Sequence, residues 1–483
     1  MKSNRILLYI MVIISVILCV PSIIYLIFNG TVDGFNSYYT YTLSISDNDV
    51  VSITSGILLI GLLLLFGVIY LLIIKKEKHI FKNKEEVIVF ITIIAAIFMI
   101  ILPYLSSDIY YYIGDSWLCS KYHENPYYTT VKDLQDIGIN DEILNNTGYW
   151  KHTVTVYGPL YNIISIILSF FSFGNITLAL YIFKMVSLIV HILNSVIIGK
   201  LTKSKKYMLL YGLNPLILIE LLSNVHNDIY LILFLLLALY FLVRKKNILL
   251  TTVFLAFSMA IKFSTILIVP FILLYCVRKE KIFKRIKYCV LCGISIVTIV
   301  LLLYMPFYKD FSIFTNMLVQ GGRYSQSIMT LLMVKLRGNN IFEKINKFKL
   351  PIFAIIYAII VIRILFARKI NLKNILNKYN LLMLIFIFIC LTNFQRWYIL
   401  WLIPTIIWQN KYMRYFIINL TFTSIIPLYA YFKIGNDSFS KGIYYSLMTI
   451  VLAIGVLIIS VIYNKIVLYL RRKNVKISFN RWK

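Results

Sequence analysis

Long apolar runs separated by short polar stretches are the dominant pattern of this 483-residue chain. A helix that crosses a bilayer needs about 20 mainly apolar residues. By that measure spans are expected near Ile6–Phe28, Val51–Ile74, Val87–Leu105, Asn175–Gly199, Tyr207–Leu222, Ile229–Val243, Tyr288–Phe307, Pro351–Phe366, Asn380–Thr392, Ile399–Trp408, Tyr415–Phe432 and Ile443–Tyr469. Three stretches break this rhythm. Gly158–Phe173 (GPLYNIISIILSFFSF) is apolar but short for a span, and so is Ser327–Leu336. Ile248–Tyr275 is interrupted at Lys262 and reads as two short helices that turn there, which satisfies the backbone if the turn lines a polar cavity. No repeat of fixed period and no inverted halves of transporter type are visible. The expectation is an all-α polytopic membrane protein, a single domain over residues 1–483 with about 12–14 transmembrane helices.

Composition agrees. Hydrophobic residues make up 60% and charged residues 14%, against about a quarter charged in soluble domains. Most of the chain therefore cannot face water, which excludes a soluble enzyme and a secreted disulfide scaffold. The six cysteines suit packing rather than disulfides or metal, since the Cys289/Cys292 pair has neither a second pair nor a nearby His. A net charge of +30 would suit nucleic acid. Its placement argues otherwise, and nucleic acid is not an expected partner.

The basic residues sit in clusters between apolar runs: Lys75–Lys84, Lys200–Lys206, Arg244–Lys246, Arg278–Lys287, Arg368–Lys378 and Arg471–Lys476. The positive-inside rule puts these clusters, and both termini, in the cytoplasm of a cell-membrane protein. The first run, preceded by Lys2 and Arg5, is too long for a signal-peptide core and lacks a cleavage site, so it reads as an uncleaved span. If Gly158–Phe173 crossed, Lys200–Lys206 would fall outside. Residues 106–174 are therefore read as one large external loop carrying an interfacial helix, and 308–350 as a second external segment.

Ionisable groups in or beside spans are functional candidates. Asp108 follows the end of a span by three residues, in Ser-Ser-Asp-Ile-Tyr-Tyr-Tyr. A helix cap explains the serines and the acid, but a carboxylate at the mouth of a membrane cleft is also placed for chemistry. Asp115 is seven residues on and shares its helical face. Glu220, Asn224, His226, Asn227 and Asp228 gather around an expected external turn. A polar turn explains Asn227 and Asp228 but not Glu220 inside an apolar run. His226 and Asp228 alone do not specify a metal site, so no cofactor is expected, with a divalent ion left open. Lys262 needs an anion if buried. Arg396 and Arg323 are further expected external cations, suited to a phosphate or to snorkelling at the interface. Trp397 and Tyr398 would stack on a sugar or anchor at the interface.

These positions also carry a resemblance. Ser107-Asp108-Ile-Tyr-Tyr-Tyr, Asn125-Pro126-Tyr127, Tyr157-Gly158-Pro159-Leu160, Asn214-Pro215-Leu216 running to Glu220, His226-Asn227-Asp228, Ala260-Ile-Lys262 and Gln395-Arg396-Trp397-Tyr398 follow one another over residues 107–398. In order and spacing the chain resembles the GT-C class of membrane glycosyltransferases, and most closely the polyprenyl-phosphate-mannose-dependent α-mannosyltransferases of the MptB type. The resemblance implies a large first external loop with juxtamembrane helices and a catalytic base at its start, which Asp108 matches. The class often has a second adjacent acid, whereas here the neighbours are Ser107 and Ile109. Asp115, Glu124 and Asp228 are the candidates for that role.

The expected activity is transfer of a hexose, mannose by resemblance, from a polyprenyl-phosphate donor at the outer membrane face, by the inverting route, for which one base suffices. Asp108, Asp115 and Asp228 are the catalytic candidates. Glu220, His226, Asn227, Lys262, Arg396, Trp397, Tyr398 and Tyr157 are the substrate-binding candidates. Phosphate leaves readily, so a base for the acceptor hydroxyl and cations for the phosphate are the main needs. The acceptor, a glycan, lipid or protein, is not written in the sequence. A lipid-linked-sugar flippase or other transporter and a polysaccharide polymerase are the rival readings.

Overall fold

The computed structural model describes residues 2–29, 49–103, 105–318, 324–336, 338–425 and 445–472. Arg323 lies outside the described residues. The described chain is helical, with isolated bridges from Ser325 and Gln326 to Asn393 in place of any sheet. Six described helices are long and apolar enough to cross a membrane: Asn4–Asn29, Leu58–Lys75, Ile176–Thr202, Ile282–Phe307, Asn340–Leu365 and Leu372–Cys390. Pro215–Ser223 and Asp228–Lys245 form a seventh if their pair, bent by 117°, is one span. The chain is a multi-pass membrane protein.

Among the described residues fewer helices are this long and apolar than the expected twelve to fourteen spans, and several of the expected runs are short or broken. Lys84–Ile100 has 17 residues. Ile399–Trp408, expected as a span, belongs to a 13-residue 3₁₀ helix, Arg396–Trp408, most of which is buried inside the protein. Such long 3₁₀ runs are uncommon, and apolar content alone does not distinguish one from an α-helix. The Tyr207–Leu222 run breaks at Asn214-Pro215. There the Asn214 side chain caps the following helix by accepting from the amides of Leu216 and Ile217, at 3.0 and 3.3 Å. Proline at the first helical position has no amide to satisfy, which makes the restart cheap. The expected break at Lys262 is present. The helix Ile248–Ile261 ends there in extended backbone, followed by the 3₁₀ turn Phe263–Leu267 and the helix Val269–Cys276.

The segment expected as a loop carries a small helical assembly. Asp108–Tyr122 runs alongside Pro159–Phe170, with Ser120 Oγ 3.0 Å from Ser169 Oγ. The second helix turns its polar residues Asn162, Ser165 and Ser169 inward, while Ile167, Phe170, Phe171 and Phe173 stand exposed at or just beyond it. Twelve residues rise about 18 Å, well short of a hydrocarbon core. Its outward apolar face suits a helix lying in the membrane interface.

Asp141 ties the assembly together. Its carboxylate caps Glu142–Asn145 through the amides of Ile143 and Leu144, and accepts from Trp117 Nε1 at 3.1 Å, Lys121 Nζ at 2.7 Å and Tyr122 Oη at 3.0 Å. Burial raises its pKa, but the hydrogen bonds, led by Lys121, outweigh it and hold the carboxyl below its usual range.

The basic cluster around Lys203 makes the expected topology testable. Lys203, exposed at the left-handed end of Ile176–Thr202, belongs to a basic cluster with Lys78 and Lys82. With Lys203→Cys in intact cells, a membrane-impermeant thiol reagent should give no signal above the unsubstituted chain until the membrane is opened. Strong labelling from outside would invert the topology.

Candidate active site

A cleft with a volume of about 430 Å³ opens where the 106–174 segment meets the broken helices. Among the described residues its charged lining groups are Asp108 and Lys262. Tyr157, Trp397, Tyr398 and Trp401 give it aromatic walls, while Ile266, Leu267, Phe386 and Leu391 line an apolar flank.

Asp108 starts its helix, so its carboxylate projects at the positive end of the helix dipole. Ser107 is the cap residue but makes no side-chain cap bond, and the Asp108 amide donates instead to Ser106 Oγ at 3.3 Å. Trp150 Nε1 donates to Asp108 Oδ1 at 3.2 Å, and His226 Nδ1 lies 3.7 Å from Oδ2. The carboxylate is thus held from two sides and remains partly open to the cleft, at 16% exposure.

Behind it lies a buried charge network. Glu220 sits in the π-helical turn Leu218–Ser223, where Arg396 Nε donates to Oε1 and Asn224 Nδ2 to Oε2 at 3.2 Å. His226 Nε2 is 3.1 Å from Glu220 Oε2, and its ring stacks on Trp397 with centroids 3.7 Å apart. Arg396 also donates to the Leu105 carbonyl at 3.0 Å. The turn after Ser223 is entered through Val225 at φ +57°, a left-handed conformation that a β-branched residue adopts at a cost. His226 N closes the turn by donating to the Glu220 carbonyl at 2.9 Å.

A second network holds Lys262. Its ammonium donates to both Asp228 oxygens, at 3.1 and 3.0 Å, and lies over the rings of Tyr398 and Trp401. Trp401 Nε1 donates to the same carboxylate. Close backbone packing brings Tyr157 to this lysine: Gly158 N donates to the Ile261 carbonyl at 3.1 Å, and a Cβ on Gly158 would lie 2.1 Å from the Ala260 carbonyl oxygen.

The expected site residues therefore separate into two groups. Asp108, Tyr157, Lys262, Trp397 and Tyr398 line the cleft. Glu220, His226, Asn227, Asp228 and Arg396 are buried and do not line it, because the 106–174 segment and the 3₁₀ helix cover the turn that was expected to be external. Arg396 is committed to Glu220, so it supports the floor of the site. Both polar atoms of the Asn227 side chain are buried without a hydrogen bond. Asp115 also lies off the cleft. Its face packs against the following loop, and both carboxylate oxygens lack a hydrogen bond. Burial pushes its carboxyl well above the usual range, against the opposing influence of Tyr111 and Thr155. No described group of three or more His, Cys, Asp or Glu side chains is arranged to hold a metal. Trp150 and Trp401 escaped sequence reasoning, since a tryptophan near an interface reads as an anchor.

Comparison with known proteins decides the family. A family model described as alpha-(1->6)-mannopyranosyltransferase, N-terminal domain, matches residues 15–278, more than half of the chain. The chain belongs to the MptA/B family. It is a membrane glycosyltransferase of the mannosyltransferase type. No curated protein and no solved structure matches the chain. The region matched to the MptA/B family contributes Asp108, Trp150, Tyr157 and Lys262 to the cleft, while Gln395, Trp397, Tyr398 and Trp401 come from beyond it.

Two outcomes follow. Gly158→Ala should destabilise the protein by about 1–3 kcal/mol through overpacking, read as a lowered melting temperature in detergent; an unchanged melting temperature would mean that Gly158 is not tightly packed. For Asp115, a raised folded pKa means that stability is present at low pH and is lost as pH rises above 3.8, its unfolded value, toward the folded pKa. Asp115→Asn should remove that loss. Its melting temperature should match the native chain near pH 4 and exceed it increasingly toward neutral pH, whereas a constant difference would show Asp115 to be ionised in the fold.

Proposed function

We propose that this protein transfers a mannosyl group from a polyprenyl-phosphate-linked donor to an acceptor hydroxyl at the outer face of the membrane, with both termini in the cytoplasm. The observation that carries the reading is the cleft itself. It brings one partly open carboxylate, Asp108, and one ammonium, Lys262, into the same cleft with aromatic walls and an apolar flank. Lipid-borne sugar transfer needs those features together.

In the proposed step the acceptor oxygen attacks the anomeric carbon of the donor while Asp108 takes the hydroxyl proton. The bond from that carbon to the phosphate oxygen breaks, and its electron pair leaves with the phosphate. Single displacement of this kind inverts the anomeric configuration. Lys262 spends two of its three N–H groups on Asp228, which leaves one for a phosphate oxygen as charge grows there. Asp228 supports this by orienting the ammonium rather than by acting as a base. Trp397, Tyr398 and Tyr157 are suited to stacking on sugar faces, and Ile266, Leu267, Phe386 and Leu391 to the first isoprene units. The reading requires no cofactor.

The test is transfer by purified protein from polyprenyl-phosphate-mannose, compared with other hexose donors and with a diphosphate-linked donor. Asp108→Asn, nearly isosteric, should lower kcat by about 10²–10⁴-fold with donor binding retained. A folded Asp108→Asn variant with near-normal transfer would place the base elsewhere. Lys262→Gln should lower kcat if the ammonium assists departure of the phosphate, or raise KM if it contributes ground-state binding. Unchanged kinetics would remove it from the site.

A further inference from the structure

Lys184 is a basic side chain that this mechanism does not use. It lies nine residues into the Ile176–Thr202 helix from its cap Asn175, about 13 Å along it, and is fully buried. Its Nζ donates to three backbone carbonyls: Ile101 at 2.7 Å, Ser223 at 2.8 Å and Leu222 at 3.1 Å. An ammonium has three N–H donors and no acceptor, whereas a neutral amine would point its lone pair at one carbonyl. The three-carbonyl cradle therefore fits the charged form.

Those carbonyls belong to two helix ends. Ile101 caps Lys84–Ile100, and Leu222 and Ser223 close the turn Leu218–Ser223. A cation at helix C-termini is stabilised by the carbonyls left unpaired there and by the dipoles behind them. Both ends lead within a few residues to the site, one to Asp108 and the other to His226 and Asp228. Further bonds run between the same strands of chain. Ser223 Oγ donates to the Ile101 or Leu102 carbonyl, each at 3.3 Å, and Leu105 N donates to Asn224 Oδ1 at 3.4 Å. The strained Val225 lies immediately beyond.

We propose that Lys184 is a positioning residue for the transfer reaction, fixing the spacing between Asp108 and the turn that carries His226 and Asp228. This role rests on the reading of the cleft as the transfer site. It predicts a loss of alignment rather than of substrate affinity, because Lys184 touches neither the cleft nor, on this account, the donor.

Lys184→Met removes the charge and all three donors at similar volume. It should lower kcat by about 10–100-fold, the scale of a small misplacement of reacting groups, and leave KM for the donor within about threefold. Lys184→Arg, which keeps charge and donors, should recover part of kcat. Hydrogen exchange supplies a readout independent of activity. In Lys184→Met, protection should fall between Ile101 and Asp108 and between Asn224 and Asp228, but not in Glu142–Asn145. Localised loss of protection together with the kcat effect supports the proposal. Normal kcat, a change confined to KM, or an even rise in exchange across the bundle overturns it. If Lys184→Met does not fold, Ser223→Ala should produce the same localised pattern at smaller amplitude, and its absence overturns the proposal. Localised exchange in Lys184→Met, with a native chain that transfers no sugar from polyprenyl-phosphate-mannose, would uphold the coupling of the two segments and reject the transfer reading instead.

Discussion

A carboxylate and a guanidinium buried together, Glu220 and Arg396, hold the two sides of the site in register. Both side chains are buried, and burying such a pair is costly unless the remaining donors and acceptors are satisfied. Here Asn224 and His226 attend the carboxylate, and the Leu105 carbonyl takes a second guanidinium bond. One interaction thus joins three segments far apart in the chain: the approach to Asp108, the π-helical turn, and the start of the 3₁₀ helix. Breaking such a pair from one side leaves the other charge stranded in the interior.

The arrangement explains why the cleft is lined by so few charges. Arg396 and Glu220 neutralise each other beneath it, while Asp228 holds Lys262 at its wall. His226 lies between Asp108 and Glu220 with Trp397 stacked on it, so that the aromatic wall and the carboxylate share one support. The region matched to the MptA/B family supplies the acid and the lysine, and the later part of the chain supplies the arginine and most of the aromatic wall. Within this fold the cleft requires both.

Much of this was legible in the sequence where local rules decide. The all-helical membrane class followed from apolar run length. The break at Lys262 followed from a charge inside an apolar stretch, and the place of Asp108 from its position just after the end of an apolar run. Partnerships were not legible. Arg396 near an expected external mouth looked like a phosphate ligand, because nothing local reveals that Glu220, 176 residues away, occupies it. Asp115 shares a face with Asp108 by helical periodicity, yet two turns further along that face is covered by the following loop. Lys184 went unnoticed although a lone charge within a long apolar run is itself a signal; hydropathy averaged over the run conceals it.

The central claim, that a buried pair between Glu220 and Arg396 holds the site together, is most directly tested by a double-mutant cycle. Glu220→Gln, Arg396→Gln and the double variant would be compared with the native chain by equilibrium unfolding in a fixed detergent. Each single change should destabilise by roughly 3–5 kcal/mol, and the double variant should lose much less than the sum of the two. Strictly additive losses, or single variants as stable as the native chain, would contradict the account.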